Sequence, residues 1–108
     1  MDNLILIGDL NIRIGEIQQN IEDVYVKRNV YDIRKSKDKI VKTNGRQFID
    51  FCNDENLCIL NGRTKGDIEG ELTYTSGEGS SVNDICAMSC DILEFVNTFE
   101  IINKQNRV

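Results

Sequence analysis

The segment Leu4-Ile5-Leu6-Ile7-Gly8-Asp9-Leu10-Asn11 sets a carboxylate and a carboxamide directly behind an apolar run. Side chains two apart in an extended chain point the same way, so Asp9 and Asn11 should face one site at the strand's carboxyl end. That end is where α/β sheets usually bind ligands. A carboxylate can orient or deprotonate a water while an amide donates to charge building on phosphoryl oxygens, so the pair suits phosphate-ester hydrolysis. The same residue types also form turns by bonding their own backbone. A calcium loop counted from Asp9 fails: it would need an oxygen ligand at Arg13, glycine at Ile14 and glutamate at Asn20. The 108 residues include no histidine, so a mechanism that needs an imidazole cannot run in this chain as it stands.

Around these residues the sequence has room for one domain. Forty per cent of it is apolar, enough for a modest core. The apolar runs are too short to span a membrane, and no positively charged start precedes the first, so no signal peptide is expected. Eighteen acids against thirteen bases give −5, unlike a generic nucleic-acid coat protein. Residues 27–46 are the exception, with eight bases against two acids. A +6 stretch in an acidic protein reads as a solvated loop, or as one that meets a phosphate backbone. Cys52, Cys58, Cys86 and Cys90 form no Cys-x-x-Cys pair and sit mostly among apolar neighbours. They read as buried free thiols of an intracellular protein rather than as zinc ligands or disulfides.

The elements that must hold Asp9 and Asn11 follow from the apolar pattern. Leu4–Ile7 reads as a strand buried on both faces. Val24–Tyr31 reads as a short strand. A helix is expected from Asn44, with Asn44 and Gln47 as a capping-box pair and Phe48, Ile49 and Cys52 as its apolar stripe. Leu57–Asn61 reads as a second buried strand, Leu72–Thr75 as β-rich, and Val82–Met88 and Thr98–Ile102 as further strands. Ser89 is placed to cap a short helix through Phe95. Alternating strands and helices without repeats give a layered α/β domain.

Several motifs occur in order along this frame. Leu6-Ile7-Gly8-Asp9-Leu10-Asn11 resembles the Gly-Asp-Phe/Leu-Asn signature of the endonuclease/exonuclease/phosphatase superfamily. Arg34-x-Ser36-x-Asp38 and Asn44-Gly45-Arg46 through Cys52 resemble the middle of LINE-type retrotransposon endonucleases and craniofacial-development-like relatives. Leu57 to Thr64, Gly66-Asp67, Gly70 to Tyr74 and Ser80-Ser81-Val82-Asn83-Asp84 continue the resemblance.

The resemblance implies part of a four-layer α/β sandwich, residues 1–108 being a carboxy-terminal-half fragment truncated at both ends. It implies hydrolysis of DNA phosphodiesters with magnesium. Asp9 would orient the attacking water and Asn11 would bind the scissile phosphate, both near the metal, while Asp84 would hold a catalytic histidine. Asn83 and Ile85 depart from the family's usual Ile and Tyr, and the family's catalytic histidine and metal-binding glutamate have no counterpart here. The implied partners are DNA and the missing parts of the domain itself, with no membrane, and the expected location is intracellular, with the nucleus as one candidate compartment. Two alternatives are a phosphatase of the same superfamily and a non-catalytic remnant or interaction module.

Overall fold

A computed structural model describes residues 3–22 and 29–102. Its centre is β5 (Asp84–Ser89), antiparallel to β1 (Ile5–Asp9) on one side and to β2 (Leu57–Ile59) on the other. From Ile85 onward every residue of β5 is buried, as a strand with neighbours on both edges and layers on both faces requires. The expectation for Leu4–Ile7 is therefore corrected. Among the described residues β1 is an edge strand, and Ile5 and Ile7 are 56% and 72% exposed on its outer face. An unbroken apolar run reports hydrophobicity, not which side of the strand finds a neighbour.

The pleat divides the core in two. Leu57, Ile59, Ile85 and Ala87 pack on one face with Leu6, Ile12 and Ile14, and α1 (Thr43–Asp54) covers them through Ile49 and Cys52. Cys58, Leu60, Cys86 and Met88 pack on the other, beneath Leu93 and Val96 of and beyond the 3₁₀ helix Cys90–Phe95, with Val30. All four cysteines are buried free thiols. Burial pushes Cys52 up to about 12 and Cys58 up to about 11, well away from a reactive thiolate. A separate hairpin pairs β3 (Tyr74–Ser76) with β4 (Gly79–Ser81). The fold is thus a mixed helix and antiparallel-sheet domain, in line with the α/β expectation. No helix among the described residues is long and apolar enough to cross a membrane.

Other expectations change in detail. Helix α1 starts one residue before Asn44, with Lys42 at the N-cap and no side-chain cap, so the Asn44–Gln47 capping box does not form. Thr98–Ile102 is irregular. There the Phe99 N–H donates to Thr64 Oγ1 (3.1 Å), and the Thr64 hydroxyl donates back to the Phe99 carbonyl (2.5 Å), in place of a strand ladder. Ser89 does precede the 3₁₀ helix, but its hydroxyl accepts from the Leu4 N–H (2.7 Å) and caps nothing. Residues 23–28 of the strand expected at Val24–Tyr31 lie outside the described residues, and Val30 and Tyr31 are not in a strand.

The basic stretch departs furthest from expectation. Arg34, Ser36 and Asp38 point inward and are 1%, 3% and 4% exposed, while Lys35, Lys37 and Lys39 alternate outward. A buried guanidinium must find acceptors. Arg34 donates to the carbonyls of Gly15 and Ile17, and its own N–H donates to Gln18 Oε1 (2.9 Å). Burial, reinforced by repulsion from Arg63, pushes Arg34 down to about 10, which leaves it charged at neutral pH.

Asp38 receives two bonds from Arg13 (2.7 and 3.0 Å) and the backbone N–H groups of Val82 (3.2 Å) and Ile40 (3.1 Å). Burial opposes its charge, but these donors outweigh it and hold the carboxyl below the usual range. Its stabilising effect is therefore present in full above the unfolded-state pKa of about 3.9 and lost as pH falls from there through the lower folded-state pKa. We expect Asp38→Asn to cost about 2 kcal/mol at neutral pH, with a smaller difference from the parent near pH 3. Chemical denaturation at the two pH values checks this, and an equal cost at both would refute it.

Candidate active site

The site is built by the pairing of the first strand with the fifth. The Leu10 N–H donates to the Asn83 carbonyl (3.1 Å) and the Ser89 N–H to the Leu4 carbonyl (2.9 Å), which fixes the phase of the ladder. Asp9 lies directly opposite Asp84. By that phase they form a non-hydrogen-bonded pair, the closer of the two antiparallel arrangements, with both side chains on one face. Two carboxylates 75 positions apart in sequence are thus cross-strand neighbours.

Asn11 follows in a turn with φ +51°. Its backbone N–H donates to Asp9 Oδ1 (2.9 Å), so one oxygen of Asp9 is committed to an Asx turn and the chain has left the strand before Asn11. The expectation that an extended segment aims both side chains alike therefore does not apply at Asn11. Its carbonyl is approached by Asn44 Nδ2 (3.4 Å), which brings the start of α1 beside the turn.

Asp84 is held from two sides by residues to which the sequence reading assigned no role. Thr73 Oγ1 accepts the N–H groups of Asn83 (2.8 Å) and Asp84 (3.0 Å). The Asn61 amide donates to the Asp84 carbonyl and accepts from the Cys86 N–H, both at 2.9 Å. Where β2 ends, the buried Asn61 side chain continues its ladder along β5. The signal was present in sequence as an amide at the end of the apolar run Leu57–Leu60.

An open groove of about 690 Å³ lies beside this pair, lined by Ile7, Leu72, Tyr74, Asp84, Ile101 and Ile102 among others. Asp84 lines it; Asp9 and Asn11 do not, so the three candidates share a neighbourhood but not one depression. Among the described residues the ion pairs are Arg13–Asp38, Lys37–Glu71 and Lys39–Glu16, and none involves Asp9 or Asp84. Two opposed carboxylates with a nearby amide can attract a hard cation or a positively charged group. No group of three or more Cys, Asp or Glu among the described residues is arranged to hold a metal ion, so Asp9 and Asp84 supply only part of a coordination shell.

Comparison with known proteins gives no match to a family model, to a curated protein or to a solved structure.

Like charges directly opposite across two strands destabilise a sheet. We expect Asp84→Asn to raise stability by about 0.5 kcal/mol at low ionic strength, and the gain to shrink in about 1 M salt, where screening is short-ranged. Melting curves at the two salt concentrations measure this. A loss of stability, or a gain unaffected by salt, would show that the two charges do not repel.

Proposed function

We propose that this chain is part of a magnesium-dependent phosphodiesterase domain of the endonuclease/exonuclease/phosphatase type, a partial four-layer sandwich related to retrotransposon endonucleases, with DNA as its substrate class. The observation that carries the reading is the register of β1 on β5, which sets Asp9 of the Gly8-Asp9-Leu10-Asn11 motif against Asp84. Independent turn residues have no reason to converge in this way.

In this reading Asp9, through the oxygen not used in the turn, and the Asn11 side chain would hold the metal, with Asn11 also donating to a phosphate oxygen. The metal would supply charge neutralisation at the phosphate. Asp84 would orient an imidazole supplied from outside these 108 residues, since the chain contains no histidine. The absent histidine also favours a second reading, a non-catalytic interaction module that keeps the fold's core. A phosphatase of the same superfamily would use the same three residues.

Manganese, as a paramagnetic stand-in for magnesium, tests the site. Titrated into ¹⁵N-labelled protein, it should broaden the amides of Asp9, Asn11 and Asp84 first, and Asp9→Asn should remove that effect. Broadening centred elsewhere, or unchanged in the variant, would overturn the proposal. The chain alone should not nick supercoiled DNA above background. Nicking that Asp9→Ala abolished would instead mean that the residues present suffice for catalysis.

A further inference from the structure

The outer edge of β1 carries a second kind of site. The ladder's phase sends the N–H and C=O groups of Ile5, Ile7 and Asp9 away from β5, and no described residue bonds them. Proteins usually blunt such an edge with lysine, proline, a bulge or a covering segment. Ile5–Asp9 has no lysine and no proline, and its register on β5 runs without interruption. Ile5 and Ile7 are exposed along it, and the groove lined by Ile7, Tyr74 and Ile102 lies beside it. At one end stand Asp9 and Asp84, with Glu100 also lining the groove, and none of the three has an ion-pair partner among the described residues.

We propose that this edge and groove bind an extended peptide segment that joins the three-stranded sheet as a fourth strand, antiparallel to β1. The segment is apolar at alternate positions and places a lysine or arginine over Asp9 and Asp84. Main-chain bonds to an open edge supply affinity and alternate side-chain contacts supply specificity. The carboxylate pair selects the occupant, because Asp9 and Asp84 stand directly opposite each other in the ladder and neither has an ion-pair partner among the described residues. The inference does not rest on the phosphodiesterase reading; a divalent ion and the peptide's cation would compete for Asp9.

The test uses ¹⁵N-labelled protein and the synthetic peptide acetyl-Ser-Lys-Thr-Val-Thr-Ile-Ser-amide. Run antiparallel, its lysine falls opposite Asp9, its valine opposite Ile7 and its isoleucine opposite Ile5. Saturable shifts should centre on Ile5, Ile7 and Asp9. Asp84→Asn should weaken binding about two- to fivefold, the size expected for an exposed charge contact. N-methylation of the peptide's valine amide, which removes the donor aimed at Ile7, should abolish binding. Ile7→Lys, at a position already exposed, should do the same without unfolding the protein. The proposal falls if no saturable shifts appear, or if they map elsewhere. It also falls if the N-methylated peptide binds equally well, which would mark the groove as a pocket for small apolar groups. Shifts along β1 that depend on protein concentration without peptide would overturn it in favour of a second copy of the chain.

Discussion

One strand carries the architecture. β5 is hydrogen-bonded along both edges, to β1 on one side and to β2 and then the Asn61 amide on the other. Both apolar clusters are organised on its two faces, Ile85 and Ala87 toward α1, Cys86 and Met88 toward the 3₁₀ helix. Asp84 is its first residue, so the candidate site takes its position from the core itself. Thr73 and Asn61 tie down the backbone on which that carboxylate stands. Whatever charge the site meets, the strand beneath Asp84 is anchored by contacts that do not involve its side chain.

The interior also carries unusual charge for so small a domain. Arg34 and Arg63 are 1% and 0% exposed and lie close enough to repel each other. Neither is neutralised by an ion pair among the described residues; both donate to carbonyls instead, Arg63 through Nη1 alone, to those of Tyr31 (3.0 Å) and Asp32 (2.7 Å). Arg63 Nε and Nη2 find no partner among the described residues. Each arginine holds irregular chain in place where no ladder could. This helps to order the described parts of the connection from β1 to α1, which carry almost no secondary structure of their own.

Sequence made the elements legible and their neighbours obscure. Leu57–Ile59, Asp84–Ser89 and the helix through Ile49 and Cys52 all lie where apolar runs and helical spacing put them. Which strand is central could not be read, because Leu4–Ile7 is as apolar as anything in β5. Charge counting misjudged residues 34–38, since a sum over side chains ignores their alternation between inside and outside. Thr98–Ile102 has strand-like composition, but Thr64 offers its backbone a side-chain partner instead. The Asp9–Asp84 juxtaposition depends on a long-range register, and no local pattern around either residue encodes it. Their order in a chain of motifs singled them out, but the distance between them is a property of the sheet.

The loop from Gly62 to Gly70 is built against Lys35 as a mould is against its cast. Gly62 (φ +74°) and Gly70 (φ +67°) both press on the Lys35 peptide, so closely that a Cβ on either would strike its carbonyl oxygen. The carbonyls of the same two glycines accept the N–H groups of Lys35 (3.2 Å) and Lys37 (2.9 Å), and the buried Asp67 carboxylate accepts the N–H groups of Gly62 (3.0 Å) and Glu71 (2.8 Å) from within the loop. Neither segment can therefore fluctuate alone. Amide hydrogens on the two segments should become exchangeable in one concerted opening, although nearly thirty residues separate them in the chain.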